Sequence, residues 1–247
     1  MKITPIKLLV ACATFAVVAT NYIATKGMIG GTTPNEISEK YPTILTPSDY
    51  TFRIWGLIFL GVVAFTVYQF IREGSKNIAQ IRLLSICVAA VNIAWIFCWQ
   101  TERILLSTIA IIVLLIILIK INTLSANLEP TIEKVTVKIP FSIYFGWVSI
   151  VAVINILVYM RSIGISLDGT GAVYAATAFV ILFTVIAFYI KEKLDIPFFA
   201  LAVVWAFAGI GIKQSGNTAL VIACGIGVIV LLFASMTLVL KDPKLKR

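Results

Sequence analysis

Long apolar runs constrain this chain more than any other feature of its sequence. Each run is about 18–22 residues long, which is roughly the length that a helix needs to cross a hydrocarbon core of ~30 Å. Hydrophobic residues make up 60% of the 247 residues and charged residues only 13%, a balance that a soluble domain of this size cannot bury. The sequence therefore predicts an all-α integral membrane protein with about eight transmembrane helices, near residues 7–25, 47–71, 80–99, 104–124, 140–160, 171–190, 196–212 and 217–240.

The first of these runs has a second interpretation. Lys2 and Lys7 precede the apolar stretch Leu8–Ala19, as they would in a signal peptide. The run continues through Tyr22 and Ile23 without a small-residue cleavage site, so a retained helix is the expected outcome. The loop from Gly27 to Leu45 then connects the first two helices, and its length suits either a lid or a spacer.

The distribution of basic residues predicts the orientation. If the amino terminus lies inside, most of the Lys and Arg residues fall on the inner side of the predicted helices. We therefore expect both termini in the cytoplasm and the protein in the inner membrane of a bacterial cell. The net charge of +9 is then explained by contact with anionic headgroups, without a nucleic-acid partner. A charged connector spans Asn127–Ile139, and Pro140 is expected to open the next helix.

The second apolar run carries its own start signal. Thr46 is a candidate N-cap, Pro47 suits the first helical position, and Asp49 follows at the spacing of a capping box. Phe52 and Trp55 then share one helical face with Phe59, and this aromatic stripe indicates more than contact with lipid.

The polar residues inside the apolar runs are neutral. The absence of a charged residue near the middle of any run argues against a proton-coupled pump. Asn92, Trp95 and Trp99 share a face of the third run, and Trp147 and Asn155 share a face of the fifth. Interhelical hydrogen bonds and an interfacial tryptophan belt would explain these residues. A flat apolar cavity for a planar or polycyclic ligand is the alternative explanation, and on the residues alone packing is the favoured one.

No pattern of catalytic or metal-binding residues is present. The chain has no histidine, and its four cysteines are scattered without a Cys-x-x-Cys pair. We therefore expect no metal site, no disulfide framework and no catalytic nucleophile paired with a base. The sequence predicts a protein that is not an enzyme and has no cofactor.

Three signatures, taken in order, resemble the TspO/MBR family of tryptophan-rich sensory proteins, which are related to the mitochondrial translocator protein (peripheral benzodiazepine receptor). They are Thr46-Pro47 followed by Phe52-x-x-Trp55, then Asn92-x-x-Trp95, then Pro140-x6-Trp147-x7-Asn155. The resemblance covers residues 7–160. It implies a five-helix bundle that binds porphyrins, other tetrapyrroles, sterols or synthetic aromatic ligands beneath the loop between the first two helices. The ligand-binding residues that it implies are Trp55, Phe59, Asn92, Trp95, Trp147 and Asn155.

The resemblance implies two parts and a function. Residues 1–160 would form the five-helix domain, and residues 161–247 a three-helix extension with a short basic cytoplasmic tail. In the extension, Gly209 and Gly211 favour close helix packing, whereas Trp205 is either a lining residue or buried bulk. The expected function is that of a membrane receptor or sensor that binds a hydrophobic aromatic or polycyclic molecule and can move it. A secondary transporter of a small solute is the alternative, and a homodimer is left open.

Overall fold

The structure, a computed structural model, describes residues 3–126, 128 and 131–241. The predicted basic tail lies mostly outside the described residues. All secondary structure in the described part of the chain is helical. Its elements are α1 (Pro5–Thr25), α2 (Pro34–Lys40), a 3-10 turn (Asp49–Arg53), α3 (Ile54–Ile71), α4 (Lys76–Gln100), α5 (Ile104–Ser125), α6 (Thr131–Glu133), a π-helical turn (Lys134–Lys138), α7 (Ile139–Ser162), α8 (Gly169–Leu194), α9 (Pro197–Lys213) and α10 (Thr218–Lys241).

The all-α membrane architecture is confirmed, but the count of eight spans is not. Within the described ranges, seven helical stretches are long and apolar enough to cross a membrane. The predicted segment that falls short is the seventh, near residues 196–212; it is α9, which has 17 residues and is therefore only about 26 Å long. Its Phe199, Val203, Phe207 and Ile210 are fully buried. Because α9 is largely buried by neighbouring helices, its length need not match the thickness of the bilayer.

The helices of the first five predicted segments pack in a closed ring. Following the contacts around it, the ring runs from α1 to α3, α7, α5, α4 and back to α1. The last three helices attach to this ring through α9, which packs against α7 on one side and against α8 and α10 on the other. The helices α7 and α9 approach closely at Gly146, where an added Cβ would overlap the carbonyl oxygen of Phe199. The helix α7 is thus a member of the ring that packs directly against the extension.

The expected capping box at Thr46 is wrong. The Thr46 hydroxyl bonds to the backbone N–H and the hydroxyl of Thr43 at 3.2 and 2.9 Å, and Asp49 begins a 3-10 turn instead. The physical reason is a tertiary contact, since Ser48 N donates to the carbonyl oxygen of Gly209 in α9 at 3.1 Å. A complete capping box occurs instead at α2, where Thr33 and Glu36 bond reciprocally.

The connector before α7 is more ordered than a loop. Asn127 lies outside the described residues, but the chain is helical from Thr131 through Lys138 and continues directly into α7. Pro140 lies in the first turn of α7 and has no N–H to donate to the preceding turn. The wider π-helical turn before it accommodates this missing bond. Tyr68 of α3 holds the segment by donating to Glu133 at 2.6 Å.

Candidate ligand-binding site

A cavity of about 960 Å³ lies between α1, α2, α3, α4 and α7. It is the space beneath the loop between the first two predicted helices, where the resemblance implied a pocket. Its lining is mostly apolar and includes residues from both ends of that loop. The lining residues are Val18, Asn21, Tyr22, Thr25, Thr33, Pro34, Asn35, Ser38, Asp49, Tyr50, Phe52, Arg53, Trp55, Gly56, Phe59, Leu60, Val63, Trp95, Ile96, Trp99, Val151, Ile154 and Asn155.

Four aromatic rings form a continuous stack along the cavity wall. Trp55 stacks on Phe59 with ring centroids 5.7 Å apart and on Trp95 at 5.4 Å. Trp95 in turn stacks on Trp99 at 6.4 Å, and the interplanar angles along the series are 20°, 29° and 26°. The stack joins α3 to α4 because both helices place aromatic residues three or four positions apart on the facing side. Nearly parallel rings of this kind give the wall a continuous apolar aromatic surface.

The polar group of this wall is the Asn155 amide. Its Oδ1 accepts from Trp95 Nε1 at 3.2 Å and from Ser107 Oγ at 3.1 Å. Its Nδ2 donates to the Val151 carbonyl at 3.0 Å. These three bonds fix the orientation of the amide, and an amide nitrogen carries two hydrogens. These bonds therefore use one of the two amide hydrogens of Asn155.

Two of the predicted site residues lie behind the lining. Asn92 is fully buried and joins three helices, accepting from Asn21 Nδ2 at 2.7 Å and donating to the Tyr144 hydroxyl at 2.8 Å. Trp147 is also fully buried and meets Trp55 edge-on at 6.4 Å. Both side chains support the cavity wall from behind, and their direct contact with a ligand stays a prediction. The other four residues, Trp55, Phe59, Trp95 and Asn155, line the cavity.

The short helix α2 covers one end of the cavity, which is the position of a lid. Trp99 Nε1 donates to the carbonyl oxygen of Pro34 at 3.1 Å, so the aromatic stack is bonded directly to α2. The buried amide of Gln100 donates to the carbonyl of Ala24 at 2.9 Å and also to that of Thr32. The loop between α1 and α2 is therefore fixed to the end of α4 by side-chain bonds to its backbone.

An ion pair fastens the far end of α2. Lys40 Nζ donates to the Glu102 carboxylate at 2.6 Å, and the Tyr41 hydroxyl donates to the same carboxylate at 2.9 Å. These two bonds, with that of Lys40 the larger effect, lower the pKa of Glu102 below its usual value of 4.5. At the other end of α2, the bond from the Thr33 backbone N–H lowers the pKa of Glu36.

The cavity also opens sideways, between α1 and α3. Tyr22 of α1 and Leu60 of α3 line it, yet their side chains are 64% and 66% exposed. Both helices are long and apolar enough to span a membrane. Asp49 and Arg53 give the rim next to α2 its only charged lining residues among those described. An amphipathic ligand could thus place an apolar body on the stack and a polar group near this rim.

Sequence reasoning missed α2 and the residues that it contributes to the lining. The signal was present, because Thr33-Pro34-x-Glu36 is a capping box followed by a helix start. It also missed Tyr144, which accepts from Asn92, although Tyr144 stands one helical turn before Trp147 on α7. The contact between α9 and the 3-10 turn could not be found from local patterns, since it joins residues about 160 positions apart.

Comparison with known proteins supplies the family. Searches of curated proteins and of solved structures gave no significant match. The sequence model of the family described as TSPO-like protein matches residues 7–237. This match includes the five-helix ring and continues through α8, α9 and most of α10, beyond the 7–160 that the motifs covered. The chain belongs to the TSPO-like protein family.

Proposed function

We propose that this protein binds a hydrophobic aromatic or polycyclic small molecule, such as a porphyrin, another tetrapyrrole or a sterol, in the cavity beneath α2. The observation that carries the proposal is the four-ring stack from Phe59 to Trp99 with the Asn155 amide beside it. A volume of about 960 Å³ lies near the upper end of the range for small-molecule sites. The protein would serve in sensing or movement of the ligand, without catalysis.

Recognition would rest mainly on apolar burial. An aromatic ligand face stacked on an indole gains about 0.5–1.5 kcal/mol beyond the area that it buries. The Asn155 amide would then orient the ligand through one hydrogen bond, worth about 1 kcal/mol. A large part of the affinity therefore depends on how flat and how well ordered the wall of Trp55 and Trp95 is.

The orientation that we propose places the α2 end of the cavity outside and both termini in the cytoplasm of a bacterial cell. Packing of α9 supports it. Ser235 Oγ of α10 donates to the Pro197 carbonyl at the start of α9 at 3.3 Å. Near the opposite end, an added Cβ at Gly211 would lie 3.4 Å from Cys224 Cβ. The helix α9 thus runs antiparallel to α10 over its whole length, and an α9 that also crosses the membrane would place both termini on the same side.

Trp95→Ala tests the proposed site. The substitution removes one ring of the stack and the donor to Asn155, so we expect the affinity for protoporphyrin IX in nanodiscs to fall about tenfold. Phe233→Ala is the control, because Phe233 on α10 is 73% exposed and lies outside the cavity lining. Equal affinities of the wild type and Trp95→Ala, with both proteins folded, would remove Trp95 from the site.

Movement of the ligand is a second candidate function. It is favoured by the sideways opening beside Tyr22 and Leu60, which gives an apolar molecule a route from the bilayer to the cavity. Uptake of protoporphyrin IX into proteoliposomes separates a binder from a transporter. Saturable uptake that the protein accelerates would support movement, and binding without uptake would leave a receptor or sensor.

A further inference from the structure

The extension helix α9 contacts the segment that forms part of the cavity wall. Ser48 donates to the Gly209 carbonyl twice, from its backbone N–H and from its hydroxyl, both at 3.1 Å. One turn earlier on α9, Trp205 Nε1 donates to the Thr51 carbonyl at 2.8 Å. The hydrogen bonds at both ends of the segment 48–51 therefore come from one helix of the extension.

Steric contact reinforces these bonds. Thr51 is fully buried and lies directly on Gly209. A Cβ at position 209 would overlap Thr51 Oγ1 and come within 3.0 Å of its Cβ and Cγ2. The ring of Tyr50 meets Trp205 edge-on at 5.4 Å. Glycine is thus required at 209 because the side chain of Thr51 already occupies the space that a methyl group would fill.

The segment held in this way belongs to the cavity. Asp49, Tyr50, Phe52 and Arg53, all in the 3-10 turn, line it. The same turn leads directly into the first turn of α3, which carries Trp55. A displacement of the turn would therefore change the rim and tilt the first ring of the stack.

We propose that α9 sets the position of the 3-10 turn, and with it the shape and affinity of the cavity, through the positioning residues Trp205 and Gly209. The affinity part of this inference rests on the proposed function. On this account the extension has a specific task, since any partner or lipid that shifts α9 changes ligand affinity without touching the cavity. Ligand binding would in turn be felt at α9, because coupling between sites is reciprocal.

Gly209→Ala is the central variant, with Gly211→Ala on the same helix as its matched control. The Cβ of the control would meet only Cys224 Cβ at 3.4 Å. We expect Gly209→Ala to raise the Kd for protoporphyrin IX about fivefold or more, which is the lower part of the range for coupled sites. Gly211→Ala should leave the Kd within about twofold. Trp205→Phe, which loses the bond to the Thr51 carbonyl but keeps a ring against Tyr50, should weaken binding in the same direction.

A rescue separates positioning from general loss of packing. Thr51→Ala removes the Oγ1 and Cγ2 atoms that a methyl group at 209 would overlap. Thr51 Oγ1 makes no hydrogen bond with the described residues, so this truncation breaks none. The double variant Gly209→Ala/Thr51→Ala should therefore recover part of the lost affinity. A variant that is merely misfolded would not be rescued by a second truncation.

Hydrogen exchange provides the readout that needs no ligand. Gly209→Ala should increase deuterium uptake in the peptide containing residues 48–53, whereas Gly211→Ala should not. If the wild type binds and Gly209→Ala leaves both the Kd and this uptake unchanged, the inference is overturned while the proposed function stands. If the wild type does not bind protoporphyrin IX, the proposed function loses its support, and unchanged uptake in Gly209→Ala would then overturn the control by α9 as well.

Discussion

Substitution of Asn92 by alanine should destabilise the five-helix ring. The variant loses two interhelical hydrogen bonds, from Asn21 on α1 at 2.7 Å and to Tyr144 on α7 at 2.8 Å. At about 0.6 kcal/mol for an average bond between membrane helices, the pair contributes about 1.2 kcal/mol. The buried Tyr144 hydroxyl is left without its partner, which raises the cost. We expect a total loss of between about 1 and 3 kcal/mol in the free energy of unfolding.

The assay is unfolding in mixed detergent micelles, followed by loss of helical circular dichroism. Tyr144→Phe, which removes only one of the two bonds, should cost less than Asn92→Ala. Thr123→Ala is the matched control, because the exposed Thr123 hydroxyl bonds only to the Ile119 carbonyl of its own helix at 2.9 Å. If Asn92→Ala is as stable as this control, the network does not hold the ring together and the argument from its geometry is wrong.

Three further predictions concern the lid, the aromatic stack and the junction with the extension. Because the pKa of Glu102 is lowered in the folded protein, its ion pair with Lys40 stabilises the closed lid above pH 4.5, and this stabilisation is lost as the pH falls through the lowered pKa. Protoporphyrin IX should then dissociate faster at low pH. In stopped-flow measurements, Glu102→Gln should remove this pH dependence. Trp99→Phe removes the donor to Pro34 and should raise the Kd about threefold, the effect of roughly one weak hydrogen bond; an unchanged Kd would show that this bond does not hold the lid. Gly146→Ala should cost about 1–3 kcal/mol of stability by overpacking α7 against Phe199, whereas Gly171→Ala, with open space around it, should be neutral in the same unfolding assay.

The helical segments of the ring could be predicted from hydropathy because each is long, apolar and separated by charged or glycine-containing loops. The prediction of 104–124 differs by one residue from α5 (Ile104–Ser125). Phe52, Trp55 and Phe59, which the sequence placed on one helical face, all line the cavity, although Phe52 lies in the 3-10 turn and only Trp55 and Phe59 belong to α3. Periodicity is a local property, and it was sufficient for these elements.

The start of α3 could not be predicted in the same way. The Thr46 pattern has the residues of a capping box, yet Ser48 bonds to Gly209 in α9 and the chain enters α3 through a 3-10 turn. The structure has seven helical stretches long enough to span, against the predicted eight, for a related reason. The burial of α9 by its neighbours allows a shorter helix than a lipid-facing one. Both differences arise from contacts between the ring and the extension, which carry no signature in a local window of sequence.

Some predicted site residues line the cavity and others lie behind the lining, and this difference has a similar origin. Asn92 and Asn155 are both neutral amides inside apolar runs, and the sequence gives no means to distinguish their roles. In the structure, Asn155 lines the cavity, whereas Asn92 lies behind the lining and bonds to α1 and α7. The packing of each helix decides which of the two amides lines the cavity.

The most direct test of the central claim is quenching of tryptophan fluorescence by protoporphyrin IX, measured on the purified protein with an inner-filter correction. Trp55→Phe, Trp95→Phe and Trp147→Phe are measured beside the wild type. The account predicts saturable quenching in the micromolar range that is weakened by these substitutions, most strongly at Trp55 and Trp95, which line the cavity. Quenching that does not saturate, or that the three variants leave unchanged, would contradict the claim that this cavity is the ligand site.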